Sequence, residues 1–163
     1  MTKFKSEVSY TERGLKIHFY GSIIEDARFD TLMGLSQPEM IIDLQGTTGM
    51  NSSGIRNWIK WIHSIDSTKC QLIFQNCPKY FVDQINLVSG LIPENAIIES
   101  FFVPFYGKDT NTETFVLYRR GKEFNGPTVM HPEVIHDPKT GEEMLVDVSG
   151  HFFDFLERQK PRL

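Results

Sequence analysis

Two stretches near the start, Phe4 to Tyr10 and Leu15 to Ser22, alternate loosely between apolar and polar positions. Glu12-Arg13-Gly14 lies between them, and a glycine there supplies the positive φ that a tight turn commonly needs, so the pattern predicts an opening β-hairpin. A short helix is predicted over Glu25 to Leu35, with Phe29, Leu32 and Met33 on one face and Pro38 beyond it. Met40 to Leu44 reads as a short buried strand running into Gly46-Thr47-Thr48-Gly49. The clearest helix follows, because Ile55, Trp58, Ile59, Ile62 and Ile65 share one face of a 3.6-residue period. Ser52 or Ser53 fits as its cap. Gln71 to Gln75 is a second buried strand, and Pro78 fits the first turn of a helix whose stripe is Phe81, Ile85, Val88 and Ile92. Ala96 to Val103 is a third strand, interrupted at Glu99-Ser100.

Strands alternating with helices over this span predict an α/β fold, a mixed sheet covered by helices. After Pro104 the texture changes. Thr112 to Tyr118 and Met144 to Val148 read as strands, Gly121 to Pro138 is rich in turn formers, and His151 to Arg158 reads as a short aromatic helix. The division expected is a first unit over residues 1–104 and a β-rich extension over 105–163.

Composition narrows the function classes. With 163 residues, 40% hydrophobic, and 13 Phe, the chain can bury a core, which excludes global disorder. The formal net charge is −4, and 9 basic against 10 acidic residues before Ile98 become 8 against 11 from there on. Neither part is a basic arm, which argues against non-specific nucleic-acid binding and against acidic membrane surfaces. The opening M-T-K-F-K-S-E-V-S-Y lacks the apolar core of a signal peptide, and no run of residues is apolar enough to span a membrane, so a cytoplasmic protein is expected. Cys70 and Cys77 form neither a disulfide framework nor a zinc motif and read as buried thiols flanking one strand. A serine hydrolase would need a G-x-S-x-G elbow, and Gly49 to Gly54 has the wrong spacing. A phosphate-cradling P-loop is absent as well, so no catalytic residue is assigned.

The segment Met40 to Ile62 carries a specific pattern: a buried strand, Asp43, a loop, Asn51-Ser52-Ser53-Gly54, then an amphipathic helix. This resembles the STAS domain of the anti-anti-sigma factor family, and the resemblance extends over about Lys3 to Val103. It implies a STAS-like α/β fold, no cofactor, and a partner-switching role in bacterial transcription regulation. It also implies that Ser52 is a phosphate acceptor, with an anti-sigma-type serine kinase of the GHKL class as partner. The chain departs from the motif at Asn51, where the family has Asp. A phosphate on a serine beside a helix N-terminus adds charge that the free N–H groups and helix dipole tolerate, whereas a partner docked there would have to bury it. Ser52 and Ser53 therefore have two readings, a switch or only a helix cap.

Around them, Asn51, Ser53, Arg56, Asn57, Lys60 and Trp61 are the partner-binding candidates. Trp61 sits at the margin of the helix face, either an exposed anchor or folded over the core rim. Asp83-Gln84-Ile85-Asn86 with Glu99 to Tyr106 further resembles a bacterial STAS-like subgroup whose extension carries two Cys-x-x-Cys pairs and resembles a zinc ribbon. Those cysteines are missing here, and His131 and His136 at i and i+5 without further nearby soft ligands are weak evidence for a metal site, so a metal-free extension is expected. Phe115, Leu117, Phe152, Phe153, Phe155 and Leu156 are its expected filling. The second functional reading is a non-phosphorylated STAS scaffold or small-ligand-binding module, and an enzyme with an unrecognised site is the third.

Overall fold

The computed structural model describes residues 2–132 and 134–163. The opening hairpin is β1 (Lys5–Thr11) and β2 (Gly14–Ile23), paired antiparallel around Gly14 at φ +125°. Along β2, Leu15, Ile17 and Phe19 are buried while Lys16, His18 and Tyr20 are half-buried on the other face, the period-2 signature of a strand. β2 runs parallel to β3 (Glu39–Met50), which runs parallel to β4 (Gln71–Gln75), and β4 to β5 (Ile97–Ile98). The sheet order is therefore β1-β2-β3-β4-β5.

Two helices cross between the parallel strands, α1 (Ser52–Ser64) from β3 to β4 and α2 (Lys79–Leu87) from β4 to β5. Their apolar faces join Ile17, Phe19, Ile42, Leu44, Leu72 and Phe74 in the core. Trp58 is its hub. It is fully buried, packs against Phe19, Trp61 and Phe81 at centroid distances of 5.6, 5.2 and 5.5 Å, and donates from Nε1 to the Leu91 carbonyl at 2.8 Å. Cys70 and Cys77 flank β4, both buried as free thiols, and burial pushes both upward from the usual thiol range.

Several elements differ from the sequence expectation. β3 continues to Met50 rather than stopping near Leu44, because register shifts against β2 between His18 and Tyr20 and between Gly21 and Ser22 absorb the extra residues. Asp43 is consequently mid-strand. It is nearly buried, accepts from the Gln45 N–H at 3.0 Å and Asn76 Nδ2 at 3.1 Å, and lies within 3.6 Å of Lys16 Nζ and 3.5 Å of His18 Nδ1. The helix expected over Glu25 to Leu35 is only a 3-10 turn at Asp30–Leu32. The carbonyls of Glu25 and Ala27 are instead met by Asn57 Nδ2 of α1, at 3.4 Å each, while Phe29 and Leu32 reach the core without helical backbone.

The strand expected over Ala96 to Val103 breaks at Glu99, where the chain leaves the first sheet. β6 (Ser100–Gly107) starts a second, antiparallel sheet with β7 (Thr112–Arg119). Two short pairs follow, β8 (Phe124–Asn125) with β9 (Thr128–Val129), and β10 (Ile135–His136) with β11 (Glu143–Val146). The second sheet is ordered β10-β11-β6-β7. The expected division after residue 104 thus lies inside β6, and the buried core runs unbroken from Phe74 through Phe101 to Phe152, Phe155 and Leu156.

The short helix expected over His151 to Arg158 is a closing 3-10 helix over Asp154–Arg158, and it contacts α2. Just after it, Gln159 behaves like a strand residue on the β5 edge: its Oε1 accepts from the Ile98 N–H at 2.9 Å and its Nε2 donates to the Ala96 carbonyl at 3.1 Å. The expected filling holds for Phe152, Phe155 and Leu156, with Leu117 and Phe153 half-buried. Phe115 does not belong to it. It is 51% exposed, because the β7 register turns Tyr118 to the core and leaves Phe115 on the outer side opposite Pro104.

The hairpin turn is tied to the sheet junction by Arg13, whose guanidinium donates to both Glu99 oxygens at 2.9 Å, with Gln75 Nε2 donating to Oε1 at 2.7 Å. Burial raises the Glu99 pKa, but the bonds from Arg13 and Gln75 outweigh it and hold the carboxyl below its ordinary value. A carboxylate depressed on folding stabilises the fold above its unfolded pKa, about 4.3, and the stabilisation is lost as pH falls through the folded value. Denaturant titrations of wild type and Glu99→Gln at several pH values should therefore give curves well apart at neutral pH that converge in acid. A gap independent of pH would contradict this.

Candidate functional site

The junction between β3 and α1 is built by two residues of the Asn51-Ser52-Ser53-Gly54 motif and leaves a third free. Asn51 has extended backbone and is the helix cap: its Oδ1 accepts from the Gly54 N–H at 2.9 Å. Its Nδ2 donates to Glu25 Oε2 at 2.8 Å, and its own N–H donates to the Ile23 carbonyl at 3.2 Å. An aspartate could cap equally well but would set a second carboxylate against Glu25. Asparagine at this position is thus matched to its neighbour. The Asn51 bond draws the exposed Glu25 carboxyl below its ordinary pKa.

Gly54 is needed for a steric reason. A Cβ at this position would lie 1.8 Å from the Ile23 carbonyl oxygen and 2.4 Å from its carbon, which are main-chain atoms at the end of β2. Close approach of α1 to the sheet therefore requires glycine. The expectation that Ser52 or Ser53 caps the helix is corrected, since Asn51 does so. Among the described residues neither serine hydroxyl makes a hydrogen bond within the chain, and Ser52 is exposed at the first helical position.

Arg56 and Lys60 are exposed one and two turns beyond Ser52, so the three form a single stripe along the helix. Ser53 is half-buried beside them. Asn57 is half-buried and serves the scaffold by holding the Glu25–Ala27 carbonyls. Trp61 is not an exposed anchor but folded into the core. It is 1% exposed, stacked on Phe29 at 5.4 Å and edge-on to Phe19 at 5.5 Å. The buried stripe of α1 is Gly54, Trp58, Trp61 and Ile62, with Ile55 and Ile59 flanking it half-buried. The close approach at Gly54 rotates the helix away from the Ile55-centred face that periodicity suggests.

Sequence reasoning missed Glu25. No spacing rule links it to Asn51; only the return of the β2–β3 connection over α1 brings them together. His131 and His136 do not converge on a shared site: His131 Nδ1 pairs with the Tyr118 hydroxyl at 2.7 Å, and His136 is exposed in β10. Among the described residues no group of three His, Cys, Asp or Glu is placed to hold a metal ion, and no helix is long and apolar enough to cross a membrane. Compared with family models, curated proteins and solved structures, the chain finds no match.

Proposed function

We propose that this chain is a STAS-type regulatory protein of the cytoplasm, working by partner switching of the anti-anti-sigma kind, and that phosphorylation of Ser52 controls its docking. The observation that carries the reading is the division of labour in the motif: Asn51 caps, Gly54 packs, and Ser52 is exposed with no structural task. The parallel strands following an antiparallel hairpin, with the motif entering α1, also support it. The charge that Asn51 lacks relative to the motif is supplied one hydrogen bond away by Glu25.

A GHKL-class serine kinase would transfer the γ-phosphoryl group of ATP to Ser52 Oγ, releasing ADP and the hydroxyl proton. The product adds about −1.5 to −2 charge at the positive end of α1, where the dipole offsets it by about 0.3–1 kcal/mol. Arg56 stands one turn on and offers a further i,i+4 pairing. The fold therefore accommodates the phosphate unchanged, while a partner covering Ser52, Arg56 and Lys60 would have to desolvate it. The test is intact-mass measurement after incubation with ATP and the GHKL-class kinase of the same genome. One added phosphoryl group on wild type and none on Ser52→Ala is expected; no addition to wild type would overturn the assignment.

A further inference from the structure

A second feature lies away from α1, where the outer face of the first sheet meets β7 and the C-terminal tail. A cavity of about 700 Å³ opens there, lined by Ile73, Ile97 and Leu117 on its apolar side and by Arg13, Arg119, Arg120 and Arg162. This size falls in the range of small-molecule sites, roughly 300–1,000 Å³. Glu39 and Glu99 are the acidic residues of the lining, so the wall carries an excess of positive charge in a chain whose formal net charge is −4.

The four guanidinium groups are not equivalent. Arg13 is occupied by Glu99, and Arg119 Nη2 donates to Glu123 Oε1 at 3.1 Å. Arg120 and Arg162 form no ion pair among the described residues. Arg120 donates only from Nη2, to the Lys160 carbonyl at 3.1 Å, and its Nε is buried with no hydrogen-bond partner. A guanidinium carries five N–H donors, and the hydrogen bond to Lys160 uses one of them. Arg162 is held in position through its main chain: its N–H donates to Asn125 Oδ1 at 2.7 Å, and its carbonyl accepts from Asn125 Nδ2 at 3.3 Å. Two planar, permanently charged donors thus border one cavity without an ion-pair partner in contact, Arg120 acting on the Glu99 carboxylate only at longer range; such donors recognise tetrahedral or carboxylate oxyanions.

We propose that this cavity is a binding site for a small organic phosphate, its phosphoryl oxygens between Arg120 and Arg162 and its carbon skeleton on Ile73, Ile97 and Leu117. Two unpaired cations match a dianion better than a single carboxylate. No aromatic ring lines the described cavity, so nothing there would stack a nucleobase. The site goes beyond the docking role of Ser52 and is independent of it.

The probe is inorganic phosphate, titrated into the 163-residue chain by calorimetry and thermal shift, with chloride at matched ionic strength and acetate as comparison arms. Saturable phosphate binding is expected, weakened about tenfold or more in Arg120→Gln/Arg162→Gln and unchanged in Lys108→Gln, an exposed cation elsewhere. Amide shifts of unaltered protein give a readout independent of how the variant folds, and should cluster at Ser100, Leu117 and Arg119 to Gly121. Equal stabilisation by chloride, equal binding by the double variant, or shifts clustered elsewhere would overturn the site. Acetate binding as tightly as phosphate would overturn the phosphate assignment in favour of a carboxylate.

Discussion

Trp58→Ala should destabilise the fold by about 3–5 kcal/mol, the range for removing a large buried aromatic side chain. Trp58 is fully buried, and Phe19, Phe29, Trp61, Phe74 and Phe81 all surround it with ring centroids between 5.2 and 6.3 Å. Rigid rings on so many sides leave little room for collapse into the void. Trp58→Phe separates packing from hydrogen bonding, because it keeps a ring but leaves the buried Leu91 carbonyl without its donor. That change should cost about 1–3 kcal/mol. Urea unfolding checks both, and a cost for Trp58→Ala below that of Trp58→Phe would contradict a core centred on this residue. Since whole domains are stable by only about 5–15 kcal/mol, the alanine variant is expected to fold poorly at physiological temperature.

Gly54→Ala should be of similar severity despite adding a single methyl group. Overpacking a well-filled site typically costs about 1–3 kcal/mol, with more where main chain must move. Here the new carbon would meet the carbonyl of Ile23 at 1.8 Å, and that carbonyl already accepts the Asn51 N–H, so relief requires shifting α1 or the end of β2. We expect a loss of about 3 kcal/mol or more. Ser52→Ala next to it touches no hydrogen bond and should stay within about 0.5 kcal/mol of wild type. Comparing the two by denaturant unfolding checks the division of labour within the motif. Equal effects would contradict it.

Much of the first sheet was legible because local pattern and tertiary role coincide. β4 is a short apolar run between turn signals, and α1 carries an uninterrupted helical period. The length of β3 was hidden, since Gly46 and Gly49 read as loop chemistry and only the bulged pairing with β2 keeps them in a strand. Periodicity gave α1 its existence and not its rotation: five isoleucines and tryptophans at helical spacing fit several orientations, and the contact of Gly54 with Ile23 selects the one that buries Trp61. The motif was legible as a unit, but which member caps was not, because serine and asparagine cap by the same bond. Glu25 and the Arg13 wall of the cavity were illegible for one reason. They meet only through long-range pairing, Glu25 with Asn51 and Arg13 with Glu99, for which no local spacing exists.

The most direct test of the proposed switch is the affinity of the GHKL-class kinase domain for this chain before and after phosphorylation of Ser52, measured by calorimetry without ATP. Tight binding of the unmodified chain and a loss of about a hundredfold or more on phosphorylation are predicted, with an unchanged circular dichroism spectrum, since a buried, uncompensated charge costs several kcal/mol. Equal affinity of the two forms, or no binding by either, would contradict the account.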